Sequence, residues 1–360
     1  MANLLSGVLH CGTHPAIWTR LNLSSLLSPV EGHNDGMTMR TYLLHLLLAA
    51  VGAVSVIFGA DPVLAQESAW PRTIQHAAGE LTLPAKPKRI LSTTPSVTGI
   101  LLAMQAPLLA TAATTPSPLT DDKGFFIQWA DVADQRAVEV LYPNLSFDIE
   151  AIIGWEPDLV IGSATGADSI VQYLPELQAQ GIPTLVVNYS NQSWQELATQ
   201  LGAATGLERE ATESINRFDA RIRKVAQAIQ PPKEPVSIVG YDISGSFSIG
   251  KLHSPQGQLL AALGLTVSEL PATLKSQVSR SSNADFISRE NLPAAITGTH
   301  VFLLRATEHD VADFLADPLL ANLTAVQKKQ VYPLGPTSFR IDYYSGLEMA
   351  DVVAHSLGTQ

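Results

Sequence analysis

Cysteine is nearly absent from this chain. The 360 residues contain one cysteine, Cys11, which cannot form an internal disulfide, and no CxxC or Cys/His spacing that would hold a structural metal. The histidines after residue 65 are scattered, and no two of them share the spacing of a metal site. They are His76, His253, His300, His309 and His355. We therefore expect neither a resident metal nor a cofactor. The alternative is a metal site formed by histidines that converge from distant loops.

Basic residues are also scarce. Lys and Arg total 22 against 33 Asp and Glu, which gives a formal net charge of -11. Because a nucleic acid is itself a polyanion, we expect no nucleic-acid partner. An anionic ligand would be repelled by the protein as a whole. A site for such a ligand requires a local cluster of arginines that outweighs the overall field at short range.

Motifs of common catalytic sites are missing as well. The sequence has no GxSxG, no HExxH, no GxxxxGK[ST], and no GxGxxG that follows a strand. A single SxxK match, Ser248 to Lys251, has the spacing used by penicillin-recognising serine hydrolases. It lacks the SDN and KTG companions of that class, and the flanking glycines argue against the helix start that would aim the serine. We expect a protein that is not an enzyme, with an SxxK serine hydrolase as the remote alternative.

The N-terminal region has the order of a secretory signal. Arg40 is followed by an apolar run over about 42–60, and Val63-Leu64-Ala65 forms a small-x-small cleavage site. We expect cleavage after Ala65 and a periplasmic protein. The run approaches membrane-spanning length, so an uncleaved anchor is the alternative. No cysteine follows the run to carry a lipid.

Residues 1–65 are accordingly interpreted as an over-extended start, which covers the residues before Met37, plus a signal peptide. This segment contains 2 basic and 3 acidic residues, so the mature chain keeps 22 − 2 = 20 basic and 33 − 3 = 30 acidic side chains. Its net charge is 20 − 30 = -10.

Short apolar runs alternate with longer amphipathic stretches through the rest of the chain. The strand-like runs are 89–92, 158–161, 184–187, 236–240, 301–304 and 330–332, and the helix-like stretches are 97–104, 169–180, 194–201, 256–263, 311–315 and 341–357. Such alternation is typical of parallel sheets. Between the two series, apolar residues at spacings of three and four predict one long helix over 208–229, stopped by the prolines at 231–235.

The predicted fold class is therefore α/β, with two α/β lobes joined by a single long backbone helix. The predicted divisions are 66–205 for the N-terminal lobe, 206–231 for the linking helix and 232–360 for the C-terminal lobe.

Two arginines occupy positions where α/β folds bind ligands. Arg305 directly follows the apolar run 301–304, and Arg340 precedes the helix expected to start near Asp342. Both positions lie at the carboxyl end of a strand or at a helix start. A guanidinium stays charged and presents planar donors, which suits oxygen-rich anions such as catecholates.

Several segments together resemble the periplasmic siderophore-binding proteins of ABC importers, most of all those for ferric enterobactin. The resemblance runs from Trp70 to the C-terminus. Its most specific pieces are ATTP at 113–116, DDKGFFIQW at 121–129, PDLVIGSATGADS at 157–169, VNYSNQSWQELATQLG at 187–202, QGQLLAALG at 256–264, DPLLANL at 317–323 and SFRIDYYS at 338–345.

The resemblance implies a class III periplasmic binding protein of the helical-backbone metal-receptor type, which binds its ligand in a shallow cleft between the lobes. It implies that Arg340 contacts the ferric chelate. It also implies that Glu150 and Glu290, one at the tip of each lobe, dock onto arginines of an ABC permease, which works with its ATPase. On their own, both glutamates would be interpreted as solvated charges at helix starts.

The chain departs from the family pattern at two positions where the family contacts its ligand. A basic residue expected between the ATTP and DD segments is replaced by the stretch 117–120, and a tryptophan expected before QGQ is replaced by the stretch 248–253, which supplies Lys251 instead.

We expect capture of an iron(III)-siderophore complex by a monomeric protein, with the iron held by the siderophore. Arg340 and Arg305 are the main cationic candidates. Lys251, Arg280 and Lys123 are weaker ones, while Trp129 and Tyr241 are expected to contact the catecholate rings. A carrier for another iron chelate such as a hydroxamate, for haem or for cobalamin is the alternative within the binding class.

Overall fold

The computed structural model describes residues 70–358, so the expected leader and cleavage site at Ala65 lie outside the described residues. The described part opens with an antiparallel hairpin of β1 (Arg72–His76) and β2 (Gly79–Leu83). The backbone N–H of Ala77, in the turn of this hairpin, donates to the carbonyl of Val186 at 2.8 Å, which ties the hairpin to the N-terminal sheet.

The N-terminal lobe is built on a five-stranded parallel sheet with the order β5-β4-β3-β6-β7. The strands are β3 (Ile90–Ser92), β4 (Leu108–Thr111), β5 (Glu139–Val140), β6 (Leu159–Ser163) and β7 (Thr184–Val187). Every residue of β3, β6 and β7 is buried, as expected of strands covered on both faces. The helices of this lobe are α1 (Pro95–Ala103), α2 (Ile127–Gln135), α3 (Ile149–Gly154), α4 (Leu174–Ala179) and α5 (Trp194–Thr205).

The long helix predicted over 208–229 is confirmed as α6 (Glu208–Ala228). Its 21 residues span about 32 Å at 1.5 Å per residue. Phe218, Ile222 and Val225 are buried in one hydrophobic core that contains residues of both sheets. The helix is therefore not a bare strut that holds the lobes apart, because its apolar face is part of a core that the lobes share.

The C-terminal lobe is built on a six-stranded mixed sheet with the order β10-β11-β9-β8-β12-β13. The strands are β8 (Val236–Ile243), β9 (Ser246–Gly250), β10 (Ser279–Arg280), β11 (Ala284–Ile287), β12 (His300–Leu303) and β13 (Val331–Pro333). The central β8, β12 and β13 are parallel, whereas β9, β11 and β10 add an antiparallel edge. The helices are α7 (Pro255–Ala262), α8 (Leu292–Ala295), α9 (Glu308–Ala316), α10 (Thr324–Gln327) and α11 (Tyr343–Leu357).

The C-terminal helix α11 packs against α1 and α2 of the N-terminal lobe and against α6, and it also contacts β13 and α7 of the C-terminal lobe. Its N-cap is Asp342, whose carboxylate accepts hydrogen bonds from the backbone N–H groups of Tyr344 and Ser345 at 2.8 and 2.9 Å. Burial raises the pKa of Asp342. A Cβ at Gly99 of α1 would lie 2.5 Å from this carboxylate, so the close approach of the two helices requires glycine there. The segment just before α11, which carries Arg340, is thereby fixed between the lobes.

Candidate functional site

The two lobes meet where loops leave the carboxyl ends of their strands. Tyr189 follows β7, and Arg340 lies between β13 and α11. Together with Ser96 at the start of α1, Gln192 and Asn283, they line a small cavity of about 60 Å³. The hydroxyl of Ser282 also crosses the cleft and donates to the carbonyl of Ser190 at 3.3 Å. This junction of strand ends is where α/β folds bind ligands.

Arg340 lies in this junction in a constrained position. Its guanidinium carbon is 4.1 Å from the centre of the Tyr189 ring, within the range of a cation–π contact. Its backbone carbonyl accepts a hydrogen bond from the Ser345 hydroxyl at 2.6 Å. The Nε of Arg340 is buried and has no hydrogen-bond partner among the described residues. A charged donor in that state is suited to an incoming oxygen anion.

Beneath Arg340, Tyr189 is fixed by a buried carboxylate. Its hydroxyl donates to Asp168 Oδ1 at 2.6 Å, and Asp168 also accepts from the hydroxyl of Thr94. Burial, followed by the charge of Asp168, raises the pKa of Tyr189 to about 12, so this tyrosine remains a donor. Sequence reasoning missed Tyr189. Its position two residues after a buried strand was the available signal, the same one that singled out Arg305.

Arg305 is adjacent to the Arg340 loop. Its backbone N–H donates to the hydroxyl of Ser338 at 2.9 Å, and its side chain is exposed. With Tyr241, Asp242 and Ser244 it lines a pocket of about 160 Å³ at the carboxyl ends of β8 and β12. Asp242, Ser244 and Arg305 all have positive φ, at 51, 53 and 56°. Non-glycine residues in this conformation concentrate at functional sites.

Tyr241 is only partly available to a ligand. Its hydroxyl donates to Asp317 Oδ2 at 2.8 Å, and its ring packs edge-on against Phe247 and Phe314. Asp317 in turn forms an ion pair with Arg289 at 2.8 Å. Burial and then the hydrogen bond to Asp317 raise the pKa of Tyr241 to about 12. Tyr241 therefore lines the Arg305 pocket as a fixed wall.

Lys251 and Arg280 lie together on the antiparallel edge of the C-terminal sheet. With Lys275 and Asp285 they line a pocket of about 140 Å³. The Nζ of Lys251 forms an ion pair with Asp285 Oδ1 at 3.0 Å and donates to the carbonyl of Ser281 at 2.7 Å. Its backbone N–H donates to the carbonyl of Asn283, a residue that lines the small cavity. These cations are thus at the rim of the cleft and already have partners.

The Ser248–Lys251 pair does not have the geometry of a serine hydrolase. Ser248 lies within β9, between β8 and β11, and is buried. An SxxK nucleophile requires the start of a helix, which this strand does not provide.

Two predicted contacts are placed elsewhere by the structure. Trp129, on α2, is 1% exposed and packs against Phe125 and Phe126, so the prediction that its ring contacts the ligand is wrong. Trp129 lies on the face of α2 that turns toward the hydrophobic core. Lys123, in the loop before α2, forms an ion pair with Asp134 of that helix and lies over the Phe125 ring at 5.3 Å. The hydrogen bond to Asp134 is the main cause of the raised pKa of Lys123.

A larger cavity of about 540 Å³ adjoins the small one and shares Tyr189, Gln192 and Asn283 with it. Its lining comes from both lobes and includes Glu196, His253 and Gln258. None of these three residues was among the ligand contacts predicted from the sequence. Over residues 70–358, no three His, Cys, Asp or Glu side chains come together as a set of metal ligands.

Glu150 and Glu290 lie at the starts of short helices, as expected. Glu150 is exposed in the first turn of α3, behind the cap Asp148, whose side chain accepts from the backbone N–H of Ala151. Glu290 is exposed in a 3-10 turn that leads into α8. The pKa of Glu290 is lowered, mainly by its own backbone N–H and by the hydroxyl of Ser288. Neither residue is among those that line the two cavities of the cleft.

Comparison with known proteins agrees with this architecture. The family model described as "Periplasmic binding protein" matches residues 90–337. The ferric enterobactin-binding periplasmic protein FepB of Escherichia coli O6:H1 is 40% identical over 313 residues, which is 86% of this chain and 94% of that protein.

Solved structures give the same result. The crystal structure of holo-ViuP has a TM-score of 0.72 and 39% identity, and covers 81% of this chain and 96% of ViuP. Staphylococcus aureus SirA complexed with staphyloferrin B has a TM-score of 0.60 at 18% identity over 79% of this chain and 98% of SirA, which is likeness of fold alone. The chain belongs to the periplasmic binding protein family.

Proposed function

We propose that this protein captures a ferric catecholate siderophore, of the enterobactin kind, in the cleft between its lobes. The observation that carries the proposal is Arg340, whose buried Nε has no partner among the described residues and which lines a cavity formed by both lobes. A ferric ion bound by catecholate dianions has a net negative charge and presents oxygen acceptors, which matches such a donor. The 40% identity to a ferric enterobactin-binding protein supports the choice of ligand.

The distribution of charge supports a local anion site. The chain has a formal net charge of -11, so an anionic ligand meets repulsion at long range. Arg340 and Arg305 lie on two loops joined by the hydrogen bond from Arg305 to Ser338. Lys251 and Arg280 lie in a pocket that also contains Glu269 and Asp285, the ion-pair partner of Lys251, so they are weaker candidates. A ligand oxygen in contact with Arg340 meets that charge at short range, where it outweighs the screened field of distant carboxylates.

Titration of the protein with a panel of ligands tests the proposal. We expect ferric enterobactin to quench tryptophan fluorescence saturably, since Trp194 lines the small cavity. Ferrichrome, haem and cobalamin should bind at least tenfold more weakly, because none of them presents the catecholate oxygens of a ferric tris-catecholate to Arg340. Iron-free enterobactin serves as the matched control. Tighter binding of the hydroxamate, haem or cobalamin would contradict the ligand class.

We also propose that the protein is a carrier without catalytic activity, which acts as a monomer and delivers its cargo to an ABC permease and its ATPase. The iron stays in the siderophore throughout. The placement of Ser248 inside β9 supports the absence of hydrolysis. In the same titration, mass spectrometry of the released siderophore and a chromogenic β-lactam assay should detect no turnover; hydrolysis of either compound would contradict the carrier proposal.

Export to the periplasm is the third part of the proposal. The printed name of FepB includes a periplasmic location, and no helix among residues 70–358 has the length and hydropathy needed to cross a membrane. We predict that the mature chain begins at Gln66, because Val63 and Ala65 satisfy the small-residue rule of signal cleavage. Mass spectrometry of a periplasmic extract measures this directly. Recovery of the protein from membranes with residues 39–65 intact would contradict it.

A further inference from the structure

The carboxylate of Asp168 is the buried end of a contact chain that reaches the cleft. Asp168 is 8% exposed and lies after β6. It accepts hydrogen bonds from two hydroxyls of its own lobe, those of Thr94 and Tyr189. A buried carboxylate with two hydroxyl donors fixes those donors in return, because loss of either would leave the charge poorly compensated. The Tyr189 ring is thereby held at a set position and angle.

Arg340, at the other end of this chain of contacts, lies on the opposite lobe. Arg340 belongs to the segment before α11, and its guanidinium carbon is 4.1 Å from the centre of the Tyr189 ring. An arginine side chain loses considerable conformational entropy when it is held in one rotamer. The ring face offsets this loss through cation–π attraction and packing. The result is a guanidinium whose Nε is already buried, with no partner among residues 70–358.

The chain of contacts from Asp168 through Tyr189 to Arg340 requires a glycine at position 166. Its φ is +85°, and a Cβ built on it would lie 1.7 Å from the Tyr189 hydroxyl oxygen and 2.7 Å from Asp168 Oδ1. The hydrogen bond between Tyr189 and Asp168 can therefore form only because residue 166 has no side chain. Gly181 has a similar φ of +69°, but a Cβ there would meet nothing within 4 Å. These two glycines differ in their surroundings, not in the backbone conformation that they provide.

We propose that Tyr189 is a positioning residue of the ligand site: anchored by Asp168, its ring holds the Arg340 guanidinium across the cleft in the orientation that binds the ferric chelate. The proposal rests on the proposed function, since it concerns how Arg340 meets that ligand. It assigns Tyr189 a role through Arg340 and not as a direct contact to a catecholate ring. Asp168 and Gly166 act one step further back, because they fix the ring.

A double-mutant cycle tests whether Tyr189 acts through Arg340. Removal of the cation–π contact in Tyr189→Leu should weaken ferric enterobactin roughly 2- to 30-fold. Tyr189→Phe keeps the ring but removes the hydroxyl that Asp168 anchors, so its affinity should lie between those of the wild type and Tyr189→Leu. In an Arg340→Ala background, Tyr189→Leu should cause no further loss, because the guanidinium that the ring positions is gone. A loss in both backgrounds would mean that Tyr189 contacts the ligand itself, and would overturn the proposal.

The glycines supply an independent variant pair. Gly166→Ala should weaken binding about as much as Tyr189→Leu, because the new Cβ displaces the tyrosine hydroxyl, whereas Gly181→Ala should leave affinity unchanged. Thermal unfolding of both variants controls for backbone strain, which the two sites share. Tyr332→Leu is the matched control for the tyrosine, since that ring contacts His300 and Phe302 in the C-terminal lobe. Equal affinity of Gly166→Ala and the wild type would contradict the proposed anchoring.

The outcomes separate this proposal from the proposed function. If Arg340→Ala binds ferric enterobactin as tightly as the wild type, the ligand site itself is misplaced. The double-mutant cycle then has no loss of affinity at Arg340 against which to compare Tyr189→Leu. If Arg340→Ala weakens binding but Tyr189→Leu does not, the site stands and the positioning role of Tyr189 is wrong.

Discussion

Replacement of Arg340 by alanine is expected to weaken binding of a ferric catecholate by roughly 10- to 150-fold. A charge-assisted hydrogen bond to a partly desolvated oxygen contributes about 1.5–3 kcal/mol, and this range converts to that loss. The Nε of Arg340 is buried without a partner among the described residues, so a ligand oxygen would satisfy a donor that has already been desolvated. Fluorescence titration of the purified variant with ferric enterobactin measures the effect.

Arg340→Lys should recover only part of this loss. A lysine supplies the charge, but its point-like ammonium cannot reproduce the planar donors of a guanidinium or its stacking on the Tyr189 ring. A variant that binds as tightly as the wild type would show that charge alone matters at this position.

Ionic strength separates a contact from long-range attraction. The chain is strongly acidic, so loss of any arginine increases the long-range repulsion of an anion, and salt screens that component. Arg223, exposed on α6, is a matched control for the change of net charge. In about 0.5 M salt the Debye length is a few ångströms, so the affinity of Arg223→Ala for ferric enterobactin should approach that of the wild type. The affinity of Arg340→Ala should remain low at the same salt concentration. If Arg340→Ala matches the wild type there, Arg340 is a surface charge and the site assignment fails.

The parts of the fold that depend on local sequence were predictable. The run at 184–187 is strand β7 as expected, and the helix predicted over 208–229 ends one residue early, at Ala228. Apolar runs of strand length between amphipathic stretches can be buried only in a covered parallel sheet. The same logic placed Arg305 after a strand and Arg340 before a helix, and the structure joins their loops through Ser338.

Features that depend on contacts between distant segments were not predictable. The antiparallel edge of β9, β10 and β11 is formed by short polar and glycine-rich runs, which lack the apolar signal of a buried strand. The burial of Trp129 follows from which face of α2 turns inward, and a helix of 9 residues gives too little periodicity to determine that face.

The packing of α11 on the N-terminal lobe was also hidden, because order along the chain assigns that helix to the C-terminal lobe. It depends on a glycine at position 99, where α1 approaches the Asp342 carboxylate. A single glycine in the sequence does not indicate that two helices distant along the chain approach each other at that position.

Charge reversal at the lobe tips is expected to abolish siderophore uptake while ligand binding persists. Removal of one partner of a buried interfacial charge pair costs about 2–5 kcal/mol, and Glu150→Lys or Glu290→Lys would place like charges against the arginines that we expect on the permease. Both glutamates are exposed and absent from the lining of the cleft cavities. Affinity for ferric enterobactin should therefore change less than about twofold, as for an ordinary surface substitution. Uptake of iron-labelled siderophore by cells that depend on this protein is the sensitive measurement.

Glu308 offers a matched control, because it is an exposed glutamate in the first turn of α9, as Glu150 is in α3. Its reversal imposes the same unfavourable interaction of lysine with a helix N-terminus, at a surface to which no docking role is assigned. Glu308→Lys should leave uptake near the wild-type rate, and immunoblots of periplasmic extracts should show equal amounts of all three variants. If Glu150→Lys or Glu290→Lys loses affinity for the siderophore in solution, that residue belongs to the ligand site. If uptake persists in both, the lobe tips are not the surface that meets the permease.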